Sequence, residues 1–228
     1  MPTIVFKPNR PIHGDHCDPL PATKVVPDWY KKLPNTVGKD KFNNFTAKKC
    51  VPLLDSITAG YIMRTAFDFV AYQKEGKDSL SFETPHEDGY IESHGAKQFT
   101  GAPFSNLVPE SGAYKLVNFY SIYTEAGYSC AFQTPAYSDT PIKILSGVVD
   151  TDEHHHINFP FYFEMPDGKT ELFVPAGTPV AQVIPFRREV YDMSVQDYKQ
   201  KDALKDMRVK NGIMNFYRRI CHHKKMYT

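Results

Sequence analysis

Residues 147–186 read GVVDTDEHHHINFPFYFEMPDGKTELFVPAGTPVAQVIPF, and this stretch decides the fold. Aromatic and β-branched residues cluster in short runs at 157–164, 171–174 and 180–186. Pro, Gly, Asn and Asp punctuate them, as between β-strands. The run 157–164 partly alternates, and 165–170 after it carries Asp167-Gly168 at its centre, the chemistry of a tight hairpin turn.

The same texture extends upstream. Runs at 61–63, 67–72, 114–117, 121–123, 128–132 and 142–145 are short and apolar or aromatic, so residues 51–186 read as β. No alternation of strands with long helical patterns appears, which disfavours a parallel α/β sheet. Seven prolines in residues 1–49 exclude a long helix there. A short strand at 3–7, an extended arm and one helical turn around Trp29 are expected, with Trp29 pinning the arm. Beyond residue 186 the period changes. Val195, Tyr198, Leu204, Met207, Met214 and Tyr217 recur at helical spacing. Ser194 with Asp197 three positions on predicts a capped start, and Gly212 weakens or splits the helix.

The chain has 228 residues, 41% of them hydrophobic, enough to bury a core in one large domain with extensions. No apolar run reaches the roughly 18 residues of a membrane span, and no secretory h-region is visible. A cytoplasmic or virion-associated location is expected. The four cysteines lie far apart, which excludes a CxxC redox motif and a zinc knuckle and favours free thiols. The net charge of +1 conceals a division. Residues 187–228 carry 11 Lys/Arg against 5 Asp/Glu, a net of +6, leaving −5 on residues 1–186. The basic residues Arg208, Lys210, Arg218, Arg219, Lys224 and Lys225 could contact phosphates, or dock on an acidic neighbour, a sister subunit being the economical choice.

Two motifs in the opening stretch, Gly147-Val148-Val149-Asp150-Thr151-Asp152 and Gly177-Thr178-Pro179-Val180-Ala181-Gln182-Val183-Ile184, resemble those of the dUTPase / dCTP deaminase superfamily. Ala126-Gly127-Tyr128-Ser129-Cys130-Ala131-Phe132 looks like the strand leading to that family's phosphate-binding segment, and Thr58-Ala59-Gly60-Tyr61 like its opening motif. The resemblance covers residues 50–186. It implies a mainly β, dUTPase-like β-clip, a distorted antiparallel barrel assembled as a homotrimer. It divides the chain into a Pro-rich arm (1–49), a β-clip core (50–186) and a basic helical segment (187–228). Over nearly the whole chain, the sequence also resembles a family of phage and bacterial proteins of about this size.

The dUTPase resemblance implies a candidate catalytic residue, Asp150, which would orient the water attacking the α-phosphate. It implies Thr134, Gly147, Asp152 and Gln182 as candidate nucleotide-binding residues, with Gln182 donating to phosphate or backbone. It implies no protein metal ligand; magnesium would arrive with the triphosphate. The sequence departs from the family at several of its working positions. Glu153 stands where a Tyr would stack on the deoxyribose. Thr134-Pro135 replaces an Arg-bearing phosphate segment, which removes a charge and a backbone donor. Ile62 replaces the Asp of the opening motif, and no Gly-rich arm follows residue 186.

The expected function is therefore a non-catalytic or repurposed dUTPase-fold protein, a phage-associated structural or accessory component of a homo-oligomer or larger viral assembly, with no cofactor and no membrane. A divergent nucleotide pyrophosphohydrolase or deaminase using Asp150 as base is the alternative, and nucleic-acid binding through the C-terminal segment a third. His154-His155-His156 reads as a polar strand start and His13-Gly14-Asp15-His16-Cys17 as part of the arm; His222-His223 reads as solvated. Cys50, after Lys48-Lys49, reads as a packed thiol.

Overall fold

A computed structural model describes residues 2–12, 17–38, 45–73, 80–85, 90–101, 113–197, 207 and 216–228. In chain order the strands are β1 (Ile4–Pro8), β2 (Leu20–Pro21), β3 (Tyr61–Arg64), β4 (Phe69–Gln73), β5 (Leu80–Glu83), β6 (Ile91–Ser93) and β7 (Tyr114–Leu116). They continue with β8 (Tyr120–Thr124), β9 (Tyr128–Gln133), β10 (Ile142–Ile144), β11 (Gly147–Val149), β12 (Phe159–Phe163), β13 (Glu171–Val174) and β14 (Pro179–Arg187). The helices are α1 (Asp28–Lys32) and α2 (Val51–Thr58). The chain is mainly β, as the sequence predicts.

Among the described residues the strands form four antiparallel sheets: β11-β9-β14-β3-β2, β10-β12-β7-β6, β13-β4-β5 and β1-β8. They wrap one aromatic core without closing into a single barrel. On β12 the inward residues Phe159, Phe161 and Phe163 are buried while Pro160 and Tyr162 are half-buried, the period of two that a one-sided strand requires. Phe161 packs against Tyr114 at 5.7 Å between ring centroids, and Phe82 touches both Tyr114 and Phe163 at 4.6 and 5.8 Å. Each buried ring contributes roughly 1.5–3 kcal/mol by leaving water.

The central strand β14 behaves differently. Val180, Ala181, Gln182 and Val183 are all buried, on both faces of the sheet. One face meets the core, and α2 covers the other. This helix lies where β structure is expected. Pro52 in its first turn suits a helix start, and Val51, Leu54 and Ile57 recur at spacing three.

Several other expectations are corrected. The turn at Asp167-Gly168 forms, with Lys169 N donating to Pro166 O at 3.0 Å and Gly168 at φ 73°. Its flanking strands nevertheless part: β12 pairs with β10 and β7, whereas β13 pairs with β4. Turn chemistry fixed the reversal, but burial assigned the strands to different sheets. His154–His156 lie in irregular chain just after a turn, not in a strand. The helix expected from Ser194 is absent at 194–197, where the chain is irregular; 198–206 and 208–215 lie outside the described residues. One wide helical turn, Tyr217–Cys221, is present.

The N-terminal arm is integrated with the body. β1 pairs with β8, β2 with β3, and Cys17, Ala22 and Tyr30 are buried. Tyr30 makes the packing anchor; Trp29 is 41% exposed and instead donates its indole N–H to the Tyr137 carbonyl at 2.8 Å. All four cysteines are free thiols. Cys50 is exposed rather than packed. Burial pushes the Cys130 thiol up to about 11. No helix among the described residues is long and apolar enough to cross a membrane.

Candidate functional site

The five-stranded sheet gathers the candidate residues at two places. At one end, β11 stops at Val149, paired with Cys130, and Asp150 turns out of the ladder. Its carbonyl accepts from Glu153 N at 3.1 Å and His154 N at 2.8 Å, which closes the turn 150–153. β14 ends at Arg187, paired with Tyr128. The next amide, Arg188 N, donates to Gly127 O at 2.8 Å, which places the guanidinium over both acidic residues.

The resulting cluster is specific in geometry. Arg188 donates to both carboxylate oxygens of Asp152, at 2.8 and 2.5 Å, a two-pronged pairing. Gly127 N donates to the same carboxylate at 2.8 Å. The Asp152 side chain is only 6% exposed. The Arg188 hydrogen bonds, with Gly127 N and the guanidinium charge, hold its carboxyl far below the usual range. Arg188 also donates to Ser129 Oγ and Tyr128 O, each at 3.0 Å. Asp150 Oδ1 accepts from Ser129 Oγ at 2.7 Å and lies 3.3 Å from Arg188. The Asp150 side chain stays 62% exposed.

Gln182 sits at the other end and is fully buried. Its amide donates to Ser56 O at 2.9 Å and Ala59 O at 2.7 Å, tying α2 to the sheet. Its carbonyl accepts from Ala136 N at 3.0 Å and Gln133 Nε2 at 3.3 Å. Of the two donation targets expected, it uses backbone. Gln182 pairs with Gln133, and Phe186 with Ser129. Four residues of strand therefore separate Gln182 from the acidic pair, about 13 Å. Thr134 stands at the Gln182 end, its hydroxyl 3.5 Å from Ile144 O. Gly147 is exposed on β11, opposite Phe132. Asp150 and Asp152 thus come together, while Thr134, Gly147 and Gln182 do not join them.

Sequence reasoning missed Arg188 and Ser129. Arg188 lies 36 residues beyond Asp152, and only the β9–β14 register brings them together. It also missed the loop after β9. Tyr137 there adopts φ 57°, and Ser138 Oγ is buried with no hydrogen-bond partner.

Of the run His154–His156, the last two side chains are engaged structurally. His155 stacks on Tyr123 at 4.0 Å between ring centroids and lies 3.1 Å from Thr151 O through Nδ1. His156 Nδ1 is 2.9 Å from Ser121 Oγ. Among the described residues no group of three potential ligands could hold a metal. His13, Gly14, Asp15 and His16 lie outside the described residues.

The C-terminal segment docks on its own chain. Tyr227 meets Tyr61 edge-on at 6.0 Å, and Tyr61 donates its hydroxyl to Thr228 O at 3.3 Å. His222, expected in solvent, lies 3.1 Å from Asp55, and Lys225 bonds the same carboxylate at 2.6 Å. Burial pushes the Asp55 carboxyl up, but the Lys225 and His222 hydrogen bonds outweigh this and leave it lowered.

No protein-family model and no curated protein matches the chain. Solved structures similar to it are of a staphylococcal phage enzyme. A variant of the phage 80alpha dUTPase aligns at 11% identity and a TM-score of 0.37, covering 86% of this chain and 98% of that one. A second variant, solved with dUpNHpp, aligns at 11% identity and 0.37, covering 86% of this chain and 90% of that one. These are proteins of the family that the sequence motifs resemble.

Proposed function

We propose that this chain is a non-catalytic subunit of a homo-oligomer, a trimer, acting as a phage-associated structural or accessory component. In this reading the acidic pair anchors an assembly arm instead of activating water. The observation that carries it is the segment leaving the Arg188 cluster. Over 189–197 the chain has no regular structure, and Val190, Tyr191, Met193 and Val195 are 97, 81, 89 and 88% exposed. Four large apolar side chains held in water along one short segment are costly and fit burial against another subunit. The outward face of the five-stranded sheet offers a place. Val148 and Phe186 on that face are 64 and 40% exposed, beyond the reach of α2. Asp150 and Asp152 then work as the arm's clamp, with their charge balanced in part by Arg188.

Light scattering of the full chain after gel filtration is expected to give a trimer mass. Val190→Asp with Val195→Asp should reduce that mass to a monomer without altering the circular dichroism. A monomeric wild type would overturn the assembly reading. A panel of deoxynucleoside triphosphates with magnesium should release neither pyrophosphate nor ammonia; release abolished by Asp150→Ala would establish the enzyme alternative.

A further inference from the structure

A cleft of about 470 Å³ opens where the C-terminal segment lies against α2 and the turn before it. It is lined by Lys48, Lys49, Arg218, His222, Lys224 and Lys225, with Val51 and Leu54 forming its apolar side. Among the described residues Asp55 is the only carboxylate in the lining, and His222 and Lys225 already engage it. Lys48 is turned to the carbonyls of Tyr30 and Lys31, at 2.8 and 3.0 Å. Among the described residues Lys49, Arg218 and Lys224 have no carboxylate partner. Two elements far apart in sequence thus converge three uncompensated cations on one concavity. The whole chain carries a net charge of only +1, so this local excess is not a by-product of a strongly basic protein.

We propose that this cleft binds a small oligophosphate anion, a class whose adjacent charges match several cations at once. Its volume falls within the roughly 300–1,000 Å³ of ordinary small-ligand sites. A nucleic-acid backbone fits less well. It needs a basic stripe that continues past the cleft, and residues 1–186 carry a net of −5. The site is separate from the Asp150 cluster, and its lining residues all belong to one chain.

Isothermal titration of the full chain with inorganic tripolyphosphate in low salt is expected to show saturable binding, one anion per chain. Arg218→Glu, Lys224→Glu and Lys49→Glu should each weaken it about tenfold, the scale of one lost charge-assisted hydrogen bond. Lys169→Glu, on a distant turn, makes the same charge reversal and should leave affinity unchanged. Circular dichroism and Tm of each variant report whether it folds, and the two elements give independent variants. Absent saturable binding, equal weakening by Lys169→Glu, or tighter binding of a DNA duplex than of tripolyphosphate would each overturn the proposal.

Discussion

The two ends of the five-stranded sheet carry residues of the same two motifs and use them in opposite ways. At the Gln182 end a neutral amide is fully buried and saturated with protein partners. At the Asp150 end, charged groups meet at a rim, and Asp150 remains 62% exposed. Burial decides the difference. An amide can satisfy donors and acceptors inside a core, whereas carboxylates need an opposite charge or water. Motif residues therefore become architecture at one end and stay chemically available at the other.

The comparison can be broken most severely beside Gln182. Gly60 holds φ 67°, and a Cβ there would stand 1.9 Å from Val183 O. Neither the backbone nor the strand can yield cheaply, so Gly60→Ala should cost roughly 3–5 kcal/mol in urea denaturation. Next, Gln182→Ala leaves the Ser56 and Ala59 carbonyls and Ala136 N without their partner, at roughly 2–4 kcal/mol by the same measurement. If either substitution were neutral, the buried end would not be the structural one.

The acidic end should respond to pH rather than collapse. The Asp152 carboxyl is held below its ordinary value, so its contribution is present above the unfolded pKa of about 4 and is lost as pH falls below it. Asp152→Asn should therefore lower Tm near neutrality and flatten its decline in acid; a parallel downward shift at all pH values would refute the ion-pair role. The smallest effect belongs to Asp150→Ala, within about 0.5 kcal/mol in urea denaturation, because the side chain is mostly solvated. A larger loss would make Asp150 part of the fixed framework.

Much of the fold was legible because aromatic and β-branched runs separated by turn residues specify strands locally. Strands β3, β9, β13 and β14 fall within two residues of their expected bounds. Helix α2 was missed because eight residues with four large apolar positions suit either state until a sheet face is there to be covered. The partition of β12 and β13 was missed because a hairpin turn specifies a reversal, while pairing partners are set by which edges the core leaves free.

By itself, the sequence determined that this chain is mainly β, that its thiols lie too far apart in sequence for local motifs, and that its positive charge collects beyond residue 186. Tertiary structure alone decided what the motif residues touch. The β9–β14 register carried Arg188 onto Asp152 and Asp150, and the packing of α2 enclosed Gln182. The C-terminal segment returned to Asp55 and formed a basic cleft with Lys49. Such contacts join residues 36 to 170 positions apart, and their energies depend on distance and burial, which local sequence patterns do not encode.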